Sequence, residues 1–159
     1  MRDMEIAGLP LHPLVVHAAV VLIPLTALLA VGLAVLPRWR WLVRWPTAVA
    51  SVACVGFAFL ATTSGESLEE ERNLGRLVHE HAERGERLAD LTIVLAVVVV
   101  VAALVLPGPS GLASGRGAVV RRVAYADTVL AVLLVAVAAV VLVQVVLTGD
   151  SGARAVWGQ

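Results

Sequence analysis

The chain has 159 residues, of which 60% are hydrophobic and only 15% charged, against about 25% charge in an ordinary soluble domain. That balance excludes disorder, a basic nucleic-acid-binding module and a water-soluble enzyme core, so no nucleic-acid partner is expected. Aromatics make up only 4%, and the apolar mass is Val, Leu and Ala, the material of lipid-facing helices. The single cysteine, Cys54, excludes an internal disulfide and any Cys-based zinc or iron–sulfur site. The length fits one domain over residues 1–159.

Four apolar runs predict four transmembrane helices, because a spanning helix satisfies all its backbone groups in lipid. The first, residues 14–36, is broken only by His17, Pro24, Thr26 and Gly32; it would extend roughly 35 Å, enough for a hydrocarbon core of about 30 Å. A secretory signal is the competing reading of this run. It is disfavoured because Arg2 is offset by Asp3 and Glu5, the run is long, and Pro10 and Pro13 precede it. The second span covers residues 46–63, with Ser51, Ala53, Cys54 and Gly56 as the small residues that allow close helix packing. The third covers 89–106 and the fourth 123–148, with Pro37, Pro46, Pro107 and Pro109 at the ends of spans. No internal repeat is evident. The expected fold is all-α: an integral membrane four-helix bundle.

All twelve basic residues are arginine, and their placement sets the expected orientation. The connection after span one holds Arg38, Arg40 and Arg44, and the connection after span three holds Arg116, Arg121 and Arg122, with no acid in either. The connection of residues 64–90 holds four arginines and eight acids. The positive-inside rule puts the two basic loops in the cytoplasm. Both termini and the 64–90 connection then face the outside of the membrane. Trp39, Trp41 and Trp45 fit an aromatic belt at the inner interface, and Trp157 one at the outer. Asp127 is expected to pair with Arg121 or Arg122.

This topology brings all four histidines to the outer end. His12 precedes the first span as a candidate helix cap, and His17 lies about 7.5 Å further along it. An ionisable residue inside a span is by default a functional candidate. His79 and His81 sit near the start of the third span, two residues apart, and so point to nearly opposite sides of a helix. Ser67-Leu68-Glu69-Glu70 reads as a capping box. It predicts a surface helix between spans two and three, leaving the second span sharply at Gly65 and bending near Gly75 or Gly85. The acids Glu69, Glu70 and Glu71 then complement that helix's first turn. Thr62, Thr63 and Ser64 close the second span on this side, and Gln144 and Thr148 reach the same level from the fourth.

The stretch Gly8-Leu9-Pro10-Leu11-His12-Pro13-Leu14-Val15-Val16-His17 resembles the opening of a bacterial family of small predicted membrane proteins, the domain of unknown function 2231. Ser64 to Glu70 and His81-Ala82-Glu83-Arg84-Gly85-Glu86 are similar to its actinobacterial members. The resemblance covers nearly the whole chain and implies a four-span layout. It favours His81 over His79 as a site residue. It supplies no activity, although some relatives joined to cytochrome c-type domains imply an association with respiratory electron transfer.

Three readings of the histidines stand at this point. The first is b-type haem for membrane electron transfer. His17 and His81 supply axial ligands from two sides of the bundle, with His12 nearby, and Arg84 or Arg87 pairs with the propionates. The second is a divalent transition-metal ion, zinc, copper or iron, held by His12, His17 and His81 with Glu66 or Glu70. His12 and His17 lie about 140° apart on an ideal helix, so this reading needs an irregular turn at Pro13. The third is a structural or accessory membrane subunit whose histidines join helices. A redox partner or a homo-oligomer is compatible with these readings. Hydrolysis is disfavoured, because neither Gly-x-Ser-x-Gly nor His-Glu-x-x-His occurs.

Overall fold

In a computed structural model, the structure describes residues 5–6, 9–72, 76–106 and 125–157, the side chains of residues 5–6, 9–11 and 68–72 excepted. Four long helices make up the described chain: α1 (Leu11–Val35), α2 (Arg40–Arg72), α3 (Arg76–Val105) and α4 (Ala126–Trp157). Ahead of them, the two-residue strands β1 (Glu5–Ile6) and β2 (Leu9–Pro10) pair antiparallel. All four helices are long and apolar enough to cross a membrane, and their exteriors are covered with exposed Val and Leu such as Val21, Leu28, Val49, Leu104 and Val146. An apolar exterior of this extent suits contact with lipid tails.

Helix ends follow proline chemistry, with one shift from expectation. Pro13 falls in the first turn of α1, where a missing N–H costs nothing. Pro37 stops α1 and opens a 3₁₀ turn, Pro37–Trp39, from which α2 starts directly. The second span therefore begins six residues before Pro46, which sits inside the second turn of α2 rather than at its start.

Packing is cyclic: α1 and α3 each pack on both α2 and α4, and α1 and α3 meet only marginally across the diagonal. The core stripes keep helical spacing: Ile23, Ala27, Ala30 and Leu33 on α1, Leu95, Val99 and Ala102 on α3, and Leu134, Ala138 and Val141 on α4. On α2 the buried stripe is Thr47, Ala48, Ser51, Cys54 and Ala58. Of the small residues expected to pack there, Ser51 and Cys54 do so and Ala53 and Gly56 are exposed. Thr47, Ser51 and Thr92 turn their hydroxyls back onto carbonyls of their own helices, so the polar stripe is satisfied in place.

The polar helix expected between spans two and three is divided between its neighbours. Residues 64–72 continue α2, and Arg76 onward is already α3, unbroken at Gly85. Ser67 does not cap a new helix; its hydroxyl donates to the Thr63 carbonyl at 3.0 Å, one turn back. The expected bend at Gly75 and the whole third connection, with Arg116, Arg121 and Arg122, lie outside the described residues. Arg40 Nη1 lies 4.0 Å from the Asp127 carboxylate; the partners expected for Asp127, Arg121 and Arg122, fall in that same undescribed connection. Arg40 is itself buried and donates to the carbonyls of Leu33 and Ala34 at 2.9 and 3.0 Å, closing the end of α1.

Candidate functional site

At the end of the bundle opposite Arg40 lies a cavity of about 460 Å³. Its walls are largely apolar, with Val16, Ala19, Ile23, Ala58, Leu88 and Val145, and His12, His17 and His81 all line it. The first turn of α1 carries His12 and the second turn of α3 carries His81. These helices are diagonal, so the two imidazoles enter the cavity from opposite sides.

Each ring is held in the same way. His12 Nδ1 lies 3.0 Å from the Ala61 carbonyl and 3.1 Å from Ser64 Oγ on α2. His81 Nδ1 lies 3.1 Å from the Thr148 carbonyl and 3.2 Å from Ser151 Oγ on α4. A carbonyl can only accept, so Nδ1 carries the proton in both rings and donates it. Nε2 then bears a free lone pair. Neither Nε2 has a hydrogen-bond partner among the described residues.

Each ring approaches a glycine closely. A Cβ on Gly65 would lie 3.1 Å from His12 Cε1 and 3.4 Å from Nδ1. A Cβ on Gly152 would lie 3.0 and 3.2 Å from the same atoms of His81. Gly65 thus serves a close approach within a continuous helix, and not the sharp exit expected from sequence. Gly149 and Gly152 play no part in ending α4, which runs through both.

The two hairpins, α1–α2 and α3–α4, line the cavity with equivalent positions. Advancing the numbering by 69 carries His12, Pro13, Val16, His17 and Ala19 onto His81, Ala82, Gly85, Glu86 and Leu88. Advancing it by 87 carries Ala58, Ala61, Thr62 and Gly65 onto Val145, Thr148, Gly149 and Gly152. Every one of these residues lines the cavity. The second hairpin therefore repeats the first at this end of the bundle, one His–Ser–Gly unit corresponding to the other. This is the internal repeat that was not evident in the sequence.

The remaining candidates stand outside the repeated unit, although His17 and Glu66 also line the cavity. His17 Nδ1 donates to the Pro13 carbonyl one turn back, and its equivalent in the other hairpin is Glu86, so the repeated unit does not include it. His12 takes the position facing His81 that His17 was expected to hold. Arg84 and Arg87 do not line the cavity. Arg84 pairs with Glu80 at 2.6 Å and donates to the Leu147 carbonyl at 3.1 Å, and Arg87 pairs with Glu83 at 3.4 Å. Both arginines, expected to pair with propionates, are thus engaged within the protein. His79 is exposed and 3.5 Å from Glu83, on the side away from His81, as their spacing required. Glu66 lines the cavity mouth, and the side chain of Glu70 lies outside the described residues. Among the described residues, no three or more His, Cys, Asp or Glu side chains are grouped to hold a metal ion. His12, His17 and His81 thus share a cavity without converging on a point.

Comparison with known proteins agrees with this layout. The family described as "Predicted membrane protein (DUF2231)" matches residues 8–159. The chain belongs to that family. The matched region includes all four helices and both His–Ser–Gly units of the cavity. No curated protein and no solved structure matches the chain. Membership of the DUF2231 family thus brings the membrane setting and leaves the chemistry to the residues themselves.

Proposed function

We propose that the cavity binds b-type haem, which His12 and His81 would hold, and that the protein carries electrons at one face of the membrane. The observation that carries this reading is the matched pair of imidazoles on diagonal helices, both lining one apolar cavity, each with Nδ1 occupied and Nε2 without a partner among the described residues. Haem needs only two protein ligands, commonly His, in a space between bundle helices. A structural or catalytic zinc ion asks for three or four. The volume, about 460 Å³, falls in the range of roughly 300–1,000 Å³ usual for small-molecule sites. Bound haem supplies one-electron exchange between ferrous and ferric iron. The chain's own residues orient the ligands through the carbonyls of Ala61 and Thr148, and exclude water with Val, Ala, Leu and Ile side chains.

The same proposal places the cavity on the outer side of a bacterial inner membrane, with Arg38, Arg40 and Arg44 on the cytoplasmic side. A redox partner would then meet the protein on the outside, where Glu66 and Glu86 stand at the cavity. The deciding experiment is an absorption spectrum of the purified protein in detergent, oxidised and dithionite-reduced, after expression with ample haem. A Soret band with the spectrum of six-coordinate bis-His iron is expected. A protein without one, at full haem supply, sinks the proposal and leaves His12 and His81 as staples joining α1 to α2 and α3 to α4. For orientation, Ser110→Cys is expected to resist an impermeant thiol reagent in intact cells, with buried Cys54 giving little background. Labelling from outside overturns the topology.

A further inference from the structure

We infer that Ser64 and Ser151 are a matched pair of positioning residues, one in each hairpin, that set the donor strength of the two imidazoles equally. The inference rests on the haem reading for its electrochemical part and on the apo protein for the rest. Each serine lies three residues beyond the carbonyl that also receives Nδ1–H, at positions that the 87-residue shift carries one onto the other. Each hydroxyl has its own proton committed to the backbone. Ser64 donates to the Leu60 carbonyl at 2.6 Å, and Ser151 to the Thr148 carbonyl at 2.8 Å. The oxygen can therefore only accept from the ring. Each Nδ1–H is consequently shared between two acceptors, a carbonyl and a hydroxyl.

Two acceptors on one N–H do two things. They fix the plane of the ring, since both must be met at once, and they draw the proton away from the ring, which makes Nε2 a stronger donor. A stronger axial donor stabilises ferric over ferrous iron and lowers the reduction potential. Removing a serine leaves the carbonyl, so the tautomer survives while the donor weakens. The potential must then rise. Because the half-sites are equivalent, Ser64→Ala and Ser151→Ala should raise it by similar amounts, and the double variant by about their sum. A merely structural serine would change stability without this matched, additive electrochemical response.

The test uses the full chain in detergent, with ¹⁵N-labelled histidine. In the apo protein, Ser64→Ala is expected to shift the Nδ1–H resonance of His12 and not that of His81, and Ser151→Ala the reverse. In the haem-loaded protein, both single variants should raise the midpoint potential in the same direction, and Ser→Thr at either site should restore it. Unchanged Nδ1–H resonances overturn the inference, as does a potential that moves for only one serine. If the wild-type protein takes up no haem, the haem reading fails by itself, and the apo resonances alone then decide the role of the serines.

Discussion

The hairpins α1–α2 and α3–α4 are alike at the cavity and unlike everywhere around it. Both bring a histidine onto a carbonyl, a serine and a glycine of the following helix. Only the second adds a further set of clamps. Gln144 Nε2 and Thr148 Oγ1 both donate to the Arg84 carbonyl at 3.1 Å, and Arg84 Nη1 reaches across to the Leu147 carbonyl. The first hairpin carries no counterpart of this set among the described residues. It is instead held at its far end by Arg40 on the carbonyls of Leu33 and Ala34. What the two halves share is therefore a good guide to what the site needs. What they do not share is scaffold, and it can be removed to test that division.

The sharpest break in the comparison is the loss of a shared residue. His12→Ala and His81→Ala should each abolish the six-coordinate haem spectrum, whereas His17→Ala should leave it in place; loss of the spectrum with His17 alone would transfer the ligand role back to His17. Gly65→Ala and Gly152→Ala come next. Alanine favours a helix interior over glycine by about 1 kcal/mol, yet a Cβ at either position would press on an imidazole. Haem affinity is expected to fall on the order of tenfold for both, an overpacking cost of about 1–2 kcal/mol, while secondary structure by circular dichroism is unchanged. Unequal losses would show that the two half-sites are not equivalent.

Substitutions in the unshared scaffold should lower stability and spare the spectrum. Arg40→Ala strands two buried carbonyls, at an expected cost of about 2–3 kcal/mol, read as a lower thermal midpoint in detergent with the Soret band intact. Gln144→Ala should cost about 1 kcal/mol for its bond to the Arg84 carbonyl. Arg84→Ala is expected to be similarly mild, since its guanidinium is engaged by Glu80 and the Leu147 carbonyl; a strong loss of haem there would point to a propionate contact at Arg84.

Much of the scaffold was legible in the sequence because it depends on local chemistry. Long Val, Leu and Ala runs must be helices in lipid, and Pro13 and Pro37 mark where α1 starts and stops, although Pro24 lies inside it. The spacing of His79 and His81 already required that only one face the bundle. The capping box misled because Ser67 follows a helix that has no reason to stop: Gly65 is tolerated when a packed ring covers it, and the hydroxyl finds a carbonyl one turn back. The repeat was hidden for a different reason. His12 and Ser64 are 52 residues apart while His81 and Ser151 are 70 apart, so no single period aligns both hairpins. Ser-Gly also occurs at Ser110-Gly111 and Ser114-Gly115, which makes the dipeptide uninformative alone.

By itself, the sequence determined that this protein is an all-α bundle of four membrane-crossing helices with its histidines gathered at one end. Those are consequences of hydropathy, helix length and the order of the spans. Only the tertiary structure decided which histidines face each other, which glycines admit them and where Arg84, Arg87 and Asp127 find partners. A hydrogen bond between diagonal or neighbouring helices depends on rotation and depth within the bundle, and those are set by the packing of Ala, Val and Ser stripes that many sequences share. The pairing of His12 with Ser64 and Gly65, and of His81 with Ser151 and Gly152, is a product of that packing.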